Sequence, residues 1–182
     1  MEIRDKVIAL LIDSDNISRE YYAILLDELS KYGRVTYRRL YGDFSKPKAN
    51  DWQQVLLDYS IEQVQQIAYT SGKNATDSSM IIDAMDILYK RKVDCFCLAT
   101  SDSDFTGLAM RFRNDNIIVI GAGEEKTPSS FRKASIIFFN ANSINSSMVG
   151  HSSGLFEKAS LKAFCISSLT SWTDKPFFFA IS

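Results

Sequence analysis

The stretch Val7-Ile8-Ala9-Leu10-Leu11-Ile12-Asp13-Ser14-Asp15-Asn16 runs six apolar residues together and then ends on acids. A second stretch, Cys95-Phe96-Cys97-Leu98-Ala99-Thr100-Ser101-Asp102-Ser103-Asp104, does the same. Short continuous apolar runs suit strands buried on both faces, as in a parallel sheet covered by helices. In such open sheets ligands bind beyond the carboxyl ends of the strands, where the strand order reverses. Two acid-tipped strands that are neighbours at that point would bring their carboxylates together.

Working outward, the patterning predicts strand 6–12, helix 18–32, strand 34–41, helix 50–59, strand 64–69, helix 77–91, strand 94–100, helix 104–114, strand 117–121 and a last strand near 135–139. Alternation of this kind implies an α/β fold with a mainly parallel sheet. Residues 34–41 mix polar and apolar side chains, as a strand nearer an edge does. Helix 18–32 carries Tyr22, Leu25, Leu26 and Leu29 on a helical period, and Gly33 is expected to cap it in the left-handed conformation. Thr76 is expected to cap helix 77–91 at its N-terminus, with Asp77 in the first turn, where the helix dipole favours a carboxylate.

The chain has 182 residues, enough for one domain that buries about 70% of its unfolded surface. Its composition, 46% hydrophobic and 24% charged, is that of an ordinary globular protein. Residues 1–141 are read as that domain. Beyond it, Ser143, Ser146, Ser147, Ser152 and Ser153 with Gly150 and Gly154 read as a linker, so 142–182 is expected to be a linker and tail without a core of its own. A short helix over 155–166 is expected within it. No apolar run is long enough to span a membrane, and the start of the chain lacks the pattern of a secretion signal, so a cytoplasmic location is expected.

The only histidine is His151, outside the patterned region, which argues against histidine-based triads and zinc sites. Cys95 and Cys97, read as facing opposite sides of one strand, are expected neither to bridge nor to share a metal; Cys165 stands apart. The net charge of −1 leaves the partner open, because a basic rim can surround an acidic centre.

Four acids are therefore the candidates for chemistry: Asp13, Asp77, Asp102 and Asp104. Any one of them after a strand is ordinarily a turn or cap residue. Together they differ, because two carboxylates about 4 Å apart repel by roughly 1 kcal/mol in water and about 4 kcal/mol at an effective dielectric of 20. Such a group needs protons or a cation, and an all-oxygen set favours Mg²⁺ or Mn²⁺ over zinc.

Leu11-Ile12-Asp13-Ser14-Asp15-Asn16, Gly72-Lys73-Asn74-Ala75-Thr76-Asp77 and Thr100-Ser101-Asp102-Ser103-Asp104-Phe105 resemble the motifs of the NYN domain, the LabA-like branch of the PIN-like nuclease superfamily. The resemblance runs from about Lys6 to Asn140 and takes in Arg38-Arg39-Leu40-Tyr41-Gly42-Asp43, Ile81-Ile82-Asp83-Ala84-Met85-Asp86 and Gly121-Ala122-Gly123-Glu124-Glu125-Lys126-Thr127-Pro128. It implies a Rossmann-like, PIN-type three-layer sandwich, a divalent metal held by Asp13, Asp77, Asp102 and Asp104, and hydrolysis of RNA phosphodiesters. Asn16 matches the family's asparagine, and Asp15, where the pattern is looser, is read as supporting the ligands. Ser101 is expected to hydrogen-bond a ligating carboxylate. Many relatives carry a helix-turn-helix-like RNA-binding module in the tail, and residues 142–182 are expected to be too few for one.

Lys46, Lys48 and Lys73 lie on loops of the same rim and are expected to meet RNA phosphates, although scattered lysines usually just solubilise a loop. Tyr41, Phe44 and Phe105 are candidates for stacking on unpaired bases, with core packing the competing reading, and Trp52 is read as core. Asp83 and Asp86 lie off the Asp77 stripe and read as structural or solvated. The expected substrate is single-stranded or loop RNA, and a homodimer is compatible with the sequence. Two other functions compete. Asp13-Ser14-Asp15 also resembles the Asp-x-Asp of haloacid-dehalogenase-type phosphatases, with Asp13 as nucleophile and Asp15 as acid. A non-catalytic regulator that binds RNA or a protein is the third reading.

Overall fold

The computed structural model describes residues 5–45, 51–66, 75–90 and 92–140. These belong to the first of two units into which the chain divides, Met1–Met148. The linker and tail expected over 142–182, with His151 and Cys165, lie outside the described residues, as do Lys46, Lys48 and Lys73.

Among the described residues strands and α-helices alternate in the order β1 (Lys6–Asp13), α1 (Tyr22–Ser30), β2 (Gly33–Gly42), α2 (Gln53–Tyr59), β3 (Glu62–Gln65), α3 (Ala75–Tyr89), β4 (Cys95–Ala99), α4 (Thr106–Asn114), β5 (Ile118–Gly123), α5 (Ser129–Ala134) and β6 (Ile137–Asn140). The six strands form one sheet in the order β3-β2-β1-β4-β5-β6, and every pairing is parallel. The order reverses between β1 and β4, whose register pairs Ile12 with Ala99. That is the crevice where open α/β sheets bind ligands.

The apolar runs are explained by burial on both faces. On one side Ile8, Leu10, Ile12, Ile118 and Ile120 pack with Tyr22, Leu25 and Leu29 of α1 and with Trp52 just before α2. On the other side Ala9, Leu11, Phe96, Leu98 and Val119 pack with Met80, Ala84 and Ile87 of α3, Leu108, Ala109 and Phe112 of α4, and Phe131 of α5. Alternate residues of the central strands thus feed two cores, and helices lie on both faces of the sheet. Fully burying one such side chain is worth about 1.5–3 kcal/mol.

Several expectations need correction. Cys95 and Cys97 are two apart on one strand and so share a face; both thiols are free and sit in the same core, among α1 side chains. Tyr41 and Phe105 are wholly buried, which removes them as stacking platforms, and Phe44 packs partly against the α1-side core. Gly33 does not cap α1 but opens β2; a Cβ there would stand 2.0 Å from the Lys6 carbonyl oxygen, so glycine serves the close approach of β1 to β2. Helix α3 begins at Ala75, one residue before the expected cap Thr76. The third strand is Glu62–Gln65, earlier than expected and polar because it is an edge strand.

Candidate metal centre

Asp13 closes β1, and the backbone turns immediately after it: the N–H groups of Asn16 and Ile17 both donate to the Asp13 carbonyl. Its carboxylate is 1% exposed. One oxygen accepts the Asp15 backbone N–H at 3.0 Å, and the other accepts Asn16 Nδ2 at 2.6 Å and Thr100 Oγ1 at 3.2 Å. Burial pushes the Asp13 carboxyl above the ordinary carboxylate range, and those three hydrogen bonds pull it part of the way back.

Thr100, at the end of β4, links this turn to the next. Its buried hydroxyl donates to Asp13 and accepts the Asp102 backbone N–H at 3.1 Å. Asp102 in turn accepts the Asp104 backbone N–H at 2.9 Å through Oδ1, capping the single 3₁₀ turn that leads into α4. The turn-and-cap role and the gathering of acids coexist here, because a carboxylate that caps with one oxygen keeps the other.

Asp77 arrives from a different element, the first turn of α3. Ligand oxygens of Asp77, Asp102 and Asp104 lie within 4.8 Å of one another, the spacing of a group that can hold a metal ion. Asp77 and Asp102 are half-buried and Asp104 is exposed. Burial, and then the charges of Asp13, Asp102, Asp104 and Asp15, push the Asp77 carboxyl up to about 6. Asp13 stands outside the three-carboxylate group but close enough for its charge to act on Asp77. Asp15 is exposed beside it.

Ser101 faces away from the acids in its hydrogen bonding. Its hydroxyl accepts the Glu124 backbone N–H at 2.9 Å and the Thr127 hydroxyl at 3.2 Å, pinning the loop after β5. Gly123 makes that contact feasible: a Cβ there would lie 2.5 Å from Thr127 Oγ1 and 2.7 Å from the Thr100 carbonyl oxygen. Thr100, the hydroxyl that joins Asp13 to the Asp102 loop, is not singled out by sequence pattern; its place directly before the acidic turn is the one signal that could find it.

A divalent cation fits this set. Three carboxylates from two separate elements converge, and burial together with the neighbouring negative charges raises the Asp77 carboxyl. The donors are all oxygen, which suits Mg²⁺ or Mn²⁺. No described helix is long and apolar enough to cross a membrane.

Comparison with known proteins agrees with the geometry. The family model described as NYN domain matches residues 7–142. The uncharacterized protein MJ0482 of Methanocaldococcus jannaschii is 30% identical over 122 residues, covering 63% of this chain and 47% of that protein. The signal transduction histidine-protein kinase AtoS of Escherichia coli is 34% identical over 62 residues, 34% of this chain and 10% of that protein. The chain thus spans less than half the length of these curated relatives. Among solved structures, a protein of unknown function, VPA0982 from Vibrio parahaemolyticus, superposes with a TM-score of 0.61 at 22% identity, covering 75% of this chain and 93% of the other, and shows the same fold.

Proposed function

Because the chain belongs to the NYN domain family, a branch of the PIN-like nucleases, we propose that it is a metal-dependent endoribonuclease that hydrolyses phosphodiester bonds in single-stranded or loop RNA. One observation carries the reading: Asp77, Asp102 and Asp104, far apart in sequence, converge within 4.8 Å at the β1/β4 rim. In this proposal they hold a single Mg²⁺ or Mn²⁺. When bound, such an ion polarises the phosphate, lowers the pKa of the attacking water and neutralises the leaving oxygen.

The chain's own residues do the rest. Asp13 acts from below: locked by Asn16, Thr100 and the Asp15 N–H, it fixes the turn after β1 and adds negative potential beneath the ion site. Thr100 carries that fixed point across to the Asp102 backbone, so both turns move as one piece. Ser101 holds the β5 loop at the edge of the site, a role in place of the ligand support first expected for it. Lys46, Lys48 and Lys73, on loops of the same rim by sequence, are proposed to meet the phosphates on either side of the scissile bond.

The phosphatase reading needs Asp13 as an open nucleophile. A carboxylate that is 1% exposed with hydrogen bonds on both oxygens argues against it. The proposal is tested by incubating the purified protein with structured and unstructured RNA, with Mn²⁺ and with chelator, beside Asp102→Asn. Asparagine keeps the oxygen that caps the Asp104 N–H and removes only the charge. The expected result is cleavage of unstructured RNA by the wild type with Mn²⁺ alone and none by the variant. Mn²⁺-dependent cleavage at wild-type rate by Asp102→Asn would exclude the site, and RNA binding without cleavage in every arm would favour the regulator.

A further inference from the structure

Of the three gathered carboxylates, Asp102 and Asp104 share one short turn, and the Asp104 N–H to Asp102 Oδ1 hydrogen bond sets their spacing locally. Among the described residues Asp77 has no such local hydrogen bond. It reaches the group only if α3 is seated correctly against the sheet. The apolar face of α3 that meets the sheet begins at Met80 and continues through Ala84 and Ile87. On the β3 side a groove of about 550 Å³ lies between helix and strand, lined by Arg39, Glu62, Gln66, Ser79, Ile82 and Asp83. Apolar packing between helix and sheet is therefore incomplete along that side.

Polar links span that gap. Asp83, six residues beyond Asp77 and on another face of α3, accepts Arg39 Nη1 on one oxygen and the Tyr41 hydroxyl on the other. Tyr41 is wholly buried in β2, and Arg39 is held from its far side by Glu62 of β3 at 2.7 Å and lies over the Tyr37 ring. Gln66 adds a hydrogen bond to Ser79 at 2.9 Å. Mutual repulsion of the gathered carboxylates acts in the opposite sense, pushing Asp77 and the start of α3 outward.

We propose that Asp83 is a positioning residue for the metal centre: anchored by Arg39 and Tyr41, it holds α3 so that Asp77 meets Asp102 and Asp104. The role rests on the metal-site reading above, and it explains why an Arg–Asp–Tyr cluster stands on α3 less than two turns from that site. Asp83 touches neither the ion nor the RNA in this account. It differs from a merely structural ion pair in one respect: its effect on metal affinity runs through Asp77 alone.

The test is Mn²⁺ affinity, read by electron paramagnetic resonance of free Mn²⁺ at pH 7, in wild type, Asp77→Asn, Asp102→Asn, Asp83→Asn, Tyr41→Phe and the double variant Asp77→Asn/Asp83→Asn. Asp83→Asn is expected to weaken binding about tenfold, the range for residues that orient metal ligands, and Tyr41→Phe by a smaller factor in the same direction. In the Asp77→Asn background the Asp83 change is expected to add less than about twofold, because the two act on one contact. An equal loss in both backgrounds, or no loss from Asp83→Asn while Asp77→Asn and Asp102→Asn bind weakly, overturns the positioning role and leaves the metal site standing. Unchanged affinity in Asp77→Asn and Asp102→Asn overturns the metal site itself. Tyr41→Phe keeps the buried ring and decides the matter if Asp83→Asn does not fold.

Discussion

Replacing Asp77 with asparagine should stabilise the metal-free protein, although it removes a residue at the heart of the site. A carboxylate pair at 4.8 Å repels by about 3.5 kcal/mol at an effective dielectric of 20 and about 0.9 kcal/mol in water. Asp77 is half-buried and Asp104 exposed, so solvent and salt hold the two pairwise terms near the lower limit, about 2 kcal/mol together. Loss of a carboxylate from the first turn of α3 offsets about 0.5–1 kcal/mol of that gain. The net is about 1 kcal/mol, or an upward shift of about 3–4 °C in unfolding temperature for a domain of this size. The sign carries a pH signature. Burial and then the neighbouring carboxylates hold the Asp77 carboxyl at about 6 in the fold against 3.8 ordinarily, so the folded state binds more protons there between those values, and the Asp77 contribution to stability falls as pH rises from about 4 to 6. Below that window both states are protonated and the penalty vanishes; above it the penalty is complete. Thermal unfolding with chelator at pH 4, 5, 6 and 7 should therefore show wild type and Asp77→Asn converging at pH 4 and separating by pH 7, the variant higher. A variant less stable than wild type at pH 7, or a constant offset across the series, would refute the claim that these carboxylates repel one another.

Two further outcomes follow from the same geometry. Thr100→Val leaves one Asp13 oxygen and the Asp102 N–H without their shared hydroxyl in a buried setting, and should cost about 1–3 kcal/mol in urea unfolding, with Thr100→Ser restoring most of it; equal stability of Val and Ser variants would remove the link. Lys73→Ala should weaken RNA binding with a shallower dependence on salt, and an unchanged slope in filter-binding titrations would strike Lys73 from the contacts.

Much of the architecture could be read from residues alone because burial on both faces writes itself as unbroken apolar runs: β1 and β4 appear as Val7–Ile12 and Cys95–Ala99, each tipped by an acid. What escaped is what depends on distance. Helix α5 has only six residues, with Phe131 and Ala134 as its buried positions, too few to declare a period. For Tyr41 the residues left base stacking and core packing both open; its ring lies in the core, and its hydroxyl meets Asp83, 42 residues away. The Asp83 anchor is invisible for the same reason, since nothing local distinguishes it from a solvated helix acid such as Asp86. Asp13 shows the limit in another form: its motif marks it as important, while only the fold shows its carboxylate turned inward to Asn16 and Thr100.

The most direct trial of the account is an anomalous difference map from a crystal grown with Mn²⁺. A single strong peak between the carboxylates of Asp77, Asp102 and Asp104 is the predicted result. Mn²⁺ found elsewhere on the molecule, with these three carboxylates pointing apart, would contradict it.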